Sequence, residues 1–122
     1  MEIAPITRYD KTLTAPPDKS ITHRAVLFNA LSGGRATVYN PLMGEDCMST
    51  VECMLRLGID VETDARGIRL RGGQIGSAAL DAGNSGTTMR LLMGALSSRP
   101  GNFCIDGDAS LRRRPMGRVA VP

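Results

Sequence analysis

A chain of 122 residues with 42% hydrophobic and 22% charged side chains has the make-up of one ordinary globular domain, able to bury roughly 65% of its unfolded surface. No apolar run approaches the roughly 18 residues of a membrane span, and the opening Met1-Glu2-Ile3-Ala4-Pro5 lacks the basic and apolar regions of a secretory signal, so a membrane protein is excluded and a cytoplasmic location is expected. The net charge of +3 is local to Arg112, Arg113, Arg114 and Arg118, and two Tyr, two Phe and no Trp leave little of the spread basic and aromatic face of a nucleic-acid binder.

Residues 3–13 read as extended, through Thr7, Tyr9 and Thr12, with a turn at Tyr9-Asp10-Lys11. Ala15-Pro16-Pro17 breaks that ladder, because proline donates no backbone hydrogen bond and restricts the residue before it. Residues 20–32 carry Ile21, Ala25, Phe28 and Leu31 at helical period, and Gly33-Gly34 closes the run. Residues 35–42 read as a strand stopped at Asn40-Pro41. A second helix follows, capped by Asp46, with Cys47, Val51, Met54 and Leu55 on one face and Gly58 just beyond its end. Residues 59–63 and 67–71 form a hairpin, completing a βαβαββ pattern. A third helix over 85–96 shows Met89, Leu92, Met93 and Leu96 on one face, a strand follows at 102–105, and Pro115 starts a last helix. A shift of 65 residues lays Ser20, Thr22, Ala30, Leu31 and Ser32 on Ser85, Thr87, Ala95, Leu96 and Ser97. The second copy is cut short, so the chain is expected to be a fragment. Cys47, Cys53 and Cys104 contain no C-x-x-C pair and are expected to be free and buried. The Met48, Met54, Met89 and Met93 positions read as core.

Three constellations carry chemistry. Asp18-Lys19-Ser20-Ile21-Thr22-His23-Arg24 places a lysine, a hydroxyl and an arginine at a helix start, where free N–H groups favour an anion; the alternative is an ordinary cap with Arg24 solvated. Gly83-Asn84-Ser85-Gly86-Thr87-Thr88-Met89-Arg90 sets two glycines and several donors at another helix start, suited to phosphate or carboxylate; the alternative is a glycine-rich turn. It has neither the ending of a P-loop nor a dinucleotide fingerprint. Gly107-Asp108-Ala109-Ser110-Leu111-Arg112-Arg113-Arg114-Pro115 is a basic loop able to close over an anion, or only a solvated face. His23, the one histidine, has no partners for a triad or a metal cluster and reads as a packing or hydrogen-bonding residue.

In this order, and with Met116 ending the last, the three motifs resemble the amino-terminal motifs of the 5-enolpyruvylshikimate-3-phosphate (EPSP) synthases, shikimate-pathway enzymes targeted by glyphosate. The resemblance implies an α/β (α+β) fold of two lobes, each built from three βαβαββ units. This chain would hold one unit at 16–73 and an incomplete second at 74–122, with 1–15 as strands pairing with the other lobe. It implies Lys19, Ser20 and Arg24 as shikimate 3-phosphate contacts, Lys19 also reaching phosphoenolpyruvate, and Gly86 and Arg114 as phosphoenolpyruvate contacts. Asn84 and Thr87 are weaker candidates in the same loop, Arg90 is structural, and the missing side chain of Gly86 leaves room for the inhibitor. No cofactor and no metal are implied. The acid/base carboxylate and lysine of the family come from the later lobe, so the chain alone is expected to be inactive, and its unpaired strand edge to invite self-association. A sister enzyme acting on UDP-N-acetylglucosamine has a lysine-asparagine pair in place of Lys19-Ser20 and lacks the arginine supplied here by Arg24. A self-contained phosphate-binding module is the competing reading from another class.

Overall fold

A computed structural model describes residues 5, 8 and 10–121. Most of the extended stretch expected at 3–13 lies outside those residues, and 10–18 are in no regular element. Helix α1 (Lys19–Leu31) begins one residue earlier than the apolar period indicates, because Asp18 is its cap: the carboxylate accepts from the Ile21 N–H at 2.7 Å. The helix ends at Ser32, and Gly33 follows with φ of +74°. Strand β1 (Arg35–Tyr39) stops at Asn40, whose φ is +49°, immediately before Pro41.

Helix α2 (Glu45–Arg56) is capped by Gly44, which offers no side chain, so Asp46 is not the cap. Glu45 and Asp46 instead sit in the first turn, where carboxylates complement the helix dipole. Its far end is a Schellman turn: Gly58 N–H donates to Leu55 and Ile59 N–H to Met54, both at 3.0 Å. The hairpin β2 (Asp60–Asp64) and β3 (Gly67–Arg71) follows as expected, with Asp64 accepting from the Arg66 N–H in the turn. Gly67 is obligatory, since a Cβ there would stand 2.1 Å from the Val38 carbonyl oxygen and φ is +136°. Strand β3 pairs antiparallel with both β1 and β2, giving the order β1-β3-β2.

Strand β4 (Ala78–Asp81) was not foreseen, because two alanines and one leucine carry little strand signal. It pairs in parallel with β5 (Phe103–Asp106), and α3 (Gly86–Leu96) is the crossover between them. The 65-residue repeat therefore aligns the ends of α1 and α3 at Leu31 and Leu96 but not their starts: Ser85 is a cap, whereas Ser20 lies inside α1. The chain closes with a single tight turn at Leu111–Arg113 and a short α4 (Gly117–Ala120), so Pro115 precedes the last helix rather than starting it.

Helix α2 is central, touching α1 and β2 on one side and α3 and β4 on the other. Val26, Leu27, Met54, Leu57, Ile68 and Leu92 anchor the main core, and Ala82, Met89 and Leu111 form a smaller one beside it. Two expected faces need correction. On α1 the inward positions are Thr22, His23, Val26, Leu27 and Ala30, leaving Ile21 and Phe28 exposed; on α2 Leu55 is likewise exposed. Cys47 and Cys53 are free and buried, but Cys104 is exposed. Burial pushes the Cys53 thiol up to about 11, so it stays protonated.

Candidate functional site

The first turns of α1, α2 and α3 converge. The Cys47 thiol lies 3.7 Å from the Lys19 carbonyl, the Lys19 ammonium pairs with the Asp46 carboxylate, and the Asp46 carbonyl lies 3.3 Å from the Thr88 hydroxyl. Three helix starts therefore add their free N–H groups and dipoles at one edge of the molecule. Only Asp18, Glu45 and Asp46 bring negative charge to these turns, and Asp46 is held by Lys19.

On α1, Ser20 and Arg24 are exposed and one helical turn apart. Among the described residues neither side chain has a hydrogen-bond partner, and Arg24 has no ion pair. Lys19 and Asp46 are also both partly exposed, so their pairing contributes about 0–1 kcal/mol and yields readily to a doubly charged phosphate.

The second group gathers around the start of α3. Ser85 Oγ accepts from the Thr88 N–H at 3.1 Å and so caps the helix. Gly86, the first helical residue, is buried beneath two guanidinium groups: a Cβ on it would lie 3.0 Å from Arg90 Nη1 and 3.2 Å from Arg114 Nη1. Arg114 donates to the Asn84 side-chain oxygen, and Asn84 in turn donates to Asp108 at 2.5 Å. The Leu111 N–H donates to the same carboxylate at 2.7 Å, and this bond, followed by that of Asn84, holds the Asp108 carboxyl below its usual range. The Asp108-Asn84 pair thus aims the Arg114 fork.

Two loops must approach closely for this. The Asp108 N–H donates to the Gly83 carbonyl at 2.9 Å, and a Cβ on Gly107 would stand 2.5 Å from that oxygen. Arg112 is committed elsewhere, gripping Asp106 with two bonds of 2.9 and 2.5 Å that depress the Asp106 carboxyl to about 2. Of the basic run, Arg114 alone turns to Gly86, while Arg113 and Arg118 are exposed.

Direct contacts thus join Asn84, Gly86 and Arg114, and Lys19 is tied to that side through Asp46. Thr87 is exposed and bonds none of the others. Sequence reasoning missed three participants. Arg90, set aside as structural, points its guanidinium at Gly86, while its Nε is buried with no partner among the described residues. Asp108 lies within a quoted motif, but only the fold reveals that it carries Asn84. Asp46 lies 27 residues from Lys19, and no local pattern announces such a pair.

The family profile of EPSP synthase (3-phosphoshikimate 1-carboxyvinyltransferase) matches residues 3–122. The chain belongs to the EPSP synthase family. It is 48% identical over 117 residues to the 3-phosphoshikimate 1-carboxyvinyltransferase of Pelotomaculum thermopropionicum, covering 91% of this chain and 27% of that protein. Against the enzyme of the same name from Geobacillus thermodenitrificans it is 45% identical over 116 residues, with the same coverage of both chains. The solved EPSP synthase from Acinetobacter baumannii superposes with a TM-score of 0.81 at 38% identity, covering 88% of this chain and 26% of that one. The chain therefore spans about a quarter of the length of these EPSP synthases, and its mixed α/β architecture is theirs. Among the described residues no helix is long and apolar enough to cross a membrane.

Proposed function

We propose that the three converging helix starts form the phosphate-binding half of an EPSP synthase site. In this site the enolpyruvyl group of phosphoenolpyruvate passes to the 5-hydroxyl of shikimate 3-phosphate. The observation that carries this reading is the cluster of Lys19 at α1 with Arg90 and Arg114 over Gly86 at α3, bridged by Asp46 and Thr88. Lys19, Ser20 and Arg24 take the shikimate phosphate: the lysine as a point charge, the serine as a neutral donor and the arginine as a fork. Arg114, aimed by Asn84 and Asp108, takes the phosphoenolpyruvate beside Gly86, and Thr87 lines the same loop.

Two anionic substrates repel each other, and the transfer needs the hydroxyl oxygen and the enol carbon about 3 Å apart. Fixed cations and helix N–H groups offset that repulsion without reorganising during the reaction. The methylene must gain a proton as the hydroxyl loses one and adds to the enol carbon, and the methyl so formed must give a proton back as phosphate leaves, which restores the enol double bond. The residues of this chain bind and orient; on this reading the acid/base groups belong to the remaining three quarters of the relatives' length. No cofactor or metal enters the scheme, and the surroundings are taken to be cytoplasmic.

Titration of the amide spectrum of the 122-residue chain with shikimate 3-phosphate, then phosphoenolpyruvate, tests this. Saturable shifts are expected at Ser20 and Arg24 for the first ligand and at Gly86 and Arg114 for the second, with no product formed. A dispersed spectrum that neither ligand moves, or turnover by the chain alone, would overturn it.

A further inference from the structure

Behind the site a line of polar groups runs through the interior. His23 Nδ1 lies 2.7 Å from Thr50 Oγ1, Thr50 Oγ1 lies 2.7 Å from Thr88 Oγ1, and Thr88 Oγ1 lies 2.7 Å from Ser85 Oγ. All four residues are at most 2% exposed. They belong in turn to α1, to α2, and to α3 with its cap. Apolar contacts tolerate sliding, but a buried hydrogen bond weakens steeply once its partners separate or tilt, and no water stands ready to replace either partner. A series of three such bonds therefore fixes the helices it joins.

The proton inventory constrains the series further. Each hydroxyl has one proton to give, so Thr50 cannot donate to both of its neighbours and must accept from at least one of them. Neutral His23 makes its bond to Thr50 in either tautomer, donating from Nδ1 or accepting there. A second ring proton would place a charge on a ring whose Nε2 is buried with no partner among the described residues.

The two ends of the line adjoin the two binding groups. His23 precedes Arg24 in the first turns of α1, and Ser85 precedes Gly86 at the start of α3. Thr50 sits within the line on α2, the one of the three converging helices that contributes no proposed ligand contact. We infer that Thr50 is a positioning residue. Its hydroxyl, shared between His23 and Thr88, fixes α1 against α3 and so sets the spacing between the shikimate phosphate contacts and the phosphoenolpyruvate contacts. The inference rests on reading those helix starts as two parts of one site.

Thr50→Val removes the hydroxyl and nearly keeps the shape, while Thr50→Ser keeps the hydroxyl and removes a methyl. Amide hydrogen exchange separates the two effects, because the N–H groups of Thr22, Thr88 and Met89 are all bonded to residues of the helix caps. In Thr50→Val exchange at all three is expected to accelerate about tenfold, with Thr50→Ser close to the parent chain. The affinity for shikimate 3-phosphate is expected to fall about fivefold in the valine variant and to recover in the serine variant. Unchanged exchange at the α1 and α3 starts in folded Thr50→Val would overturn the coupling whatever ligand binds, as would a serine variant as impaired as the valine one. If the valine variant fails to fold, the serine variant decides. Exchange and affinity like those of the parent chain are expected of Thr50→Ser, and loss of either in that variant defeats the inference. Exchange that responds while the parent chain binds neither substrate would instead overturn the site reading and leave the coupling of the helix starts intact.

Discussion

Gly86 lies under two guanidinium groups rather than under backbone, which decides what a methyl there would do. At 3.0 Å from Arg90 Nη1 and 3.2 Å from Arg114 Nη1, a new Cβ displaces the flexible ends of two long side chains, and the helix itself is untouched. In Gly86→Ala the global stability is therefore expected to change by less than about 1 kcal/mol, since alanine also restricts the unfolded chain. Phosphoenolpyruvate affinity is expected to fall about tenfold as Arg114 shifts off its aim. Calorimetric titration with both substrates checks this, and an unchanged phosphoenolpyruvate affinity would count against the placement of Arg114. His23 makes a second, independent statement. Burial first, and the Lys19 ammonium second, hold its imidazole below the ordinary 6.5, with the Asp46 carboxylate opposing them. The unfolded ring thus binds more protons than the folded one just below pH 6.5, so stability is expected to be complete above that pH and to decline as pH falls below it. His23 is the one histidine in the chain, and no other side chain has an unperturbed pKa in that window. Urea midpoints measured from about pH 5 to 8 should rise and then level off in the parent chain and stay flat in His23→Gln; a parent profile as flat as that of the variant would refute the burial argument.

Helix α1 is where local pattern and packing part company. Ile21, Ala25, Phe28 and Leu31 keep helical period and suggest an inward face, yet Ile21 and Phe28 are 62% and 59% exposed. The true inward face mixes polar with apolar groups, and Thr22 and His23 occupy it because each has a fixed partner: Thr22 receives the Leu42 N–H, and His23 meets Thr50. A hydrophobic count cannot register a buried residue justified by a hydrogen bond from a distant element. The same limit explains the rest of what was and was not legible. Helix ends announced by Gly33 and Gly58, the hairpin at Gly67 and the three motifs at 18–24, 83–90 and 107–115 stand in the sequence as local chemistry. Strand β4, the Lys19 pairing with Asp46 and the role of Asp108 depend on residues that meet only in three dimensions. The corrected face is directly testable. Leu27→Ala, which empties a fully buried position, is expected to cost about 2–5 kcal/mol, whereas Phe28→Lys is expected to change stability by less than about 0.5 kcal/mol. Denaturant unfolding of the two variants checks the contrast, and comparable losses would restore the face suggested by period alone.

At the scale of the molecule the two sheets are unequally finished. The sheet β1-β3-β2 packs α1 and α2 on one face and shows water a ladder of opposite charges, Arg69 holding Glu62 and Asp64, which is how a surface sheet is normally completed. The parallel pair β4 and β5 has no third strand among the described residues, although parallel pairs are usually members of larger, doubly covered sheets. Along it, between β5 and α3, runs an open groove of about 1080 Å³ lined by the partly exposed Met93, Phe103, Ile105 and Met116 and the buried Met89 and Leu96, beside the polar Arg99 and Asn102. Four of these apolar side chains are only partly covered, and apolar surface left open to water in one place favours association. Self-association was expected at first from a strand edge before Pro16, most of which lies outside the described residues; the groove supplies a separate physical cause. The chain is therefore expected to form dimers or larger species as its concentration rises through the micromolar range, with burial of this lining contributing roughly 25 cal/mol per Å² of apolar surface removed from water. A charge in the groove should oppose that burial and one on α1 should not. Sedimentation velocity of Met93→Lys is expected to show a shift toward monomer, and Phe28→Lys, equally charged but on the exposed side of α1, to behave as the parent chain. A parent chain that stays monomeric at high concentration refutes association altogether, and equal responses from the two variants place it somewhere other than the groove.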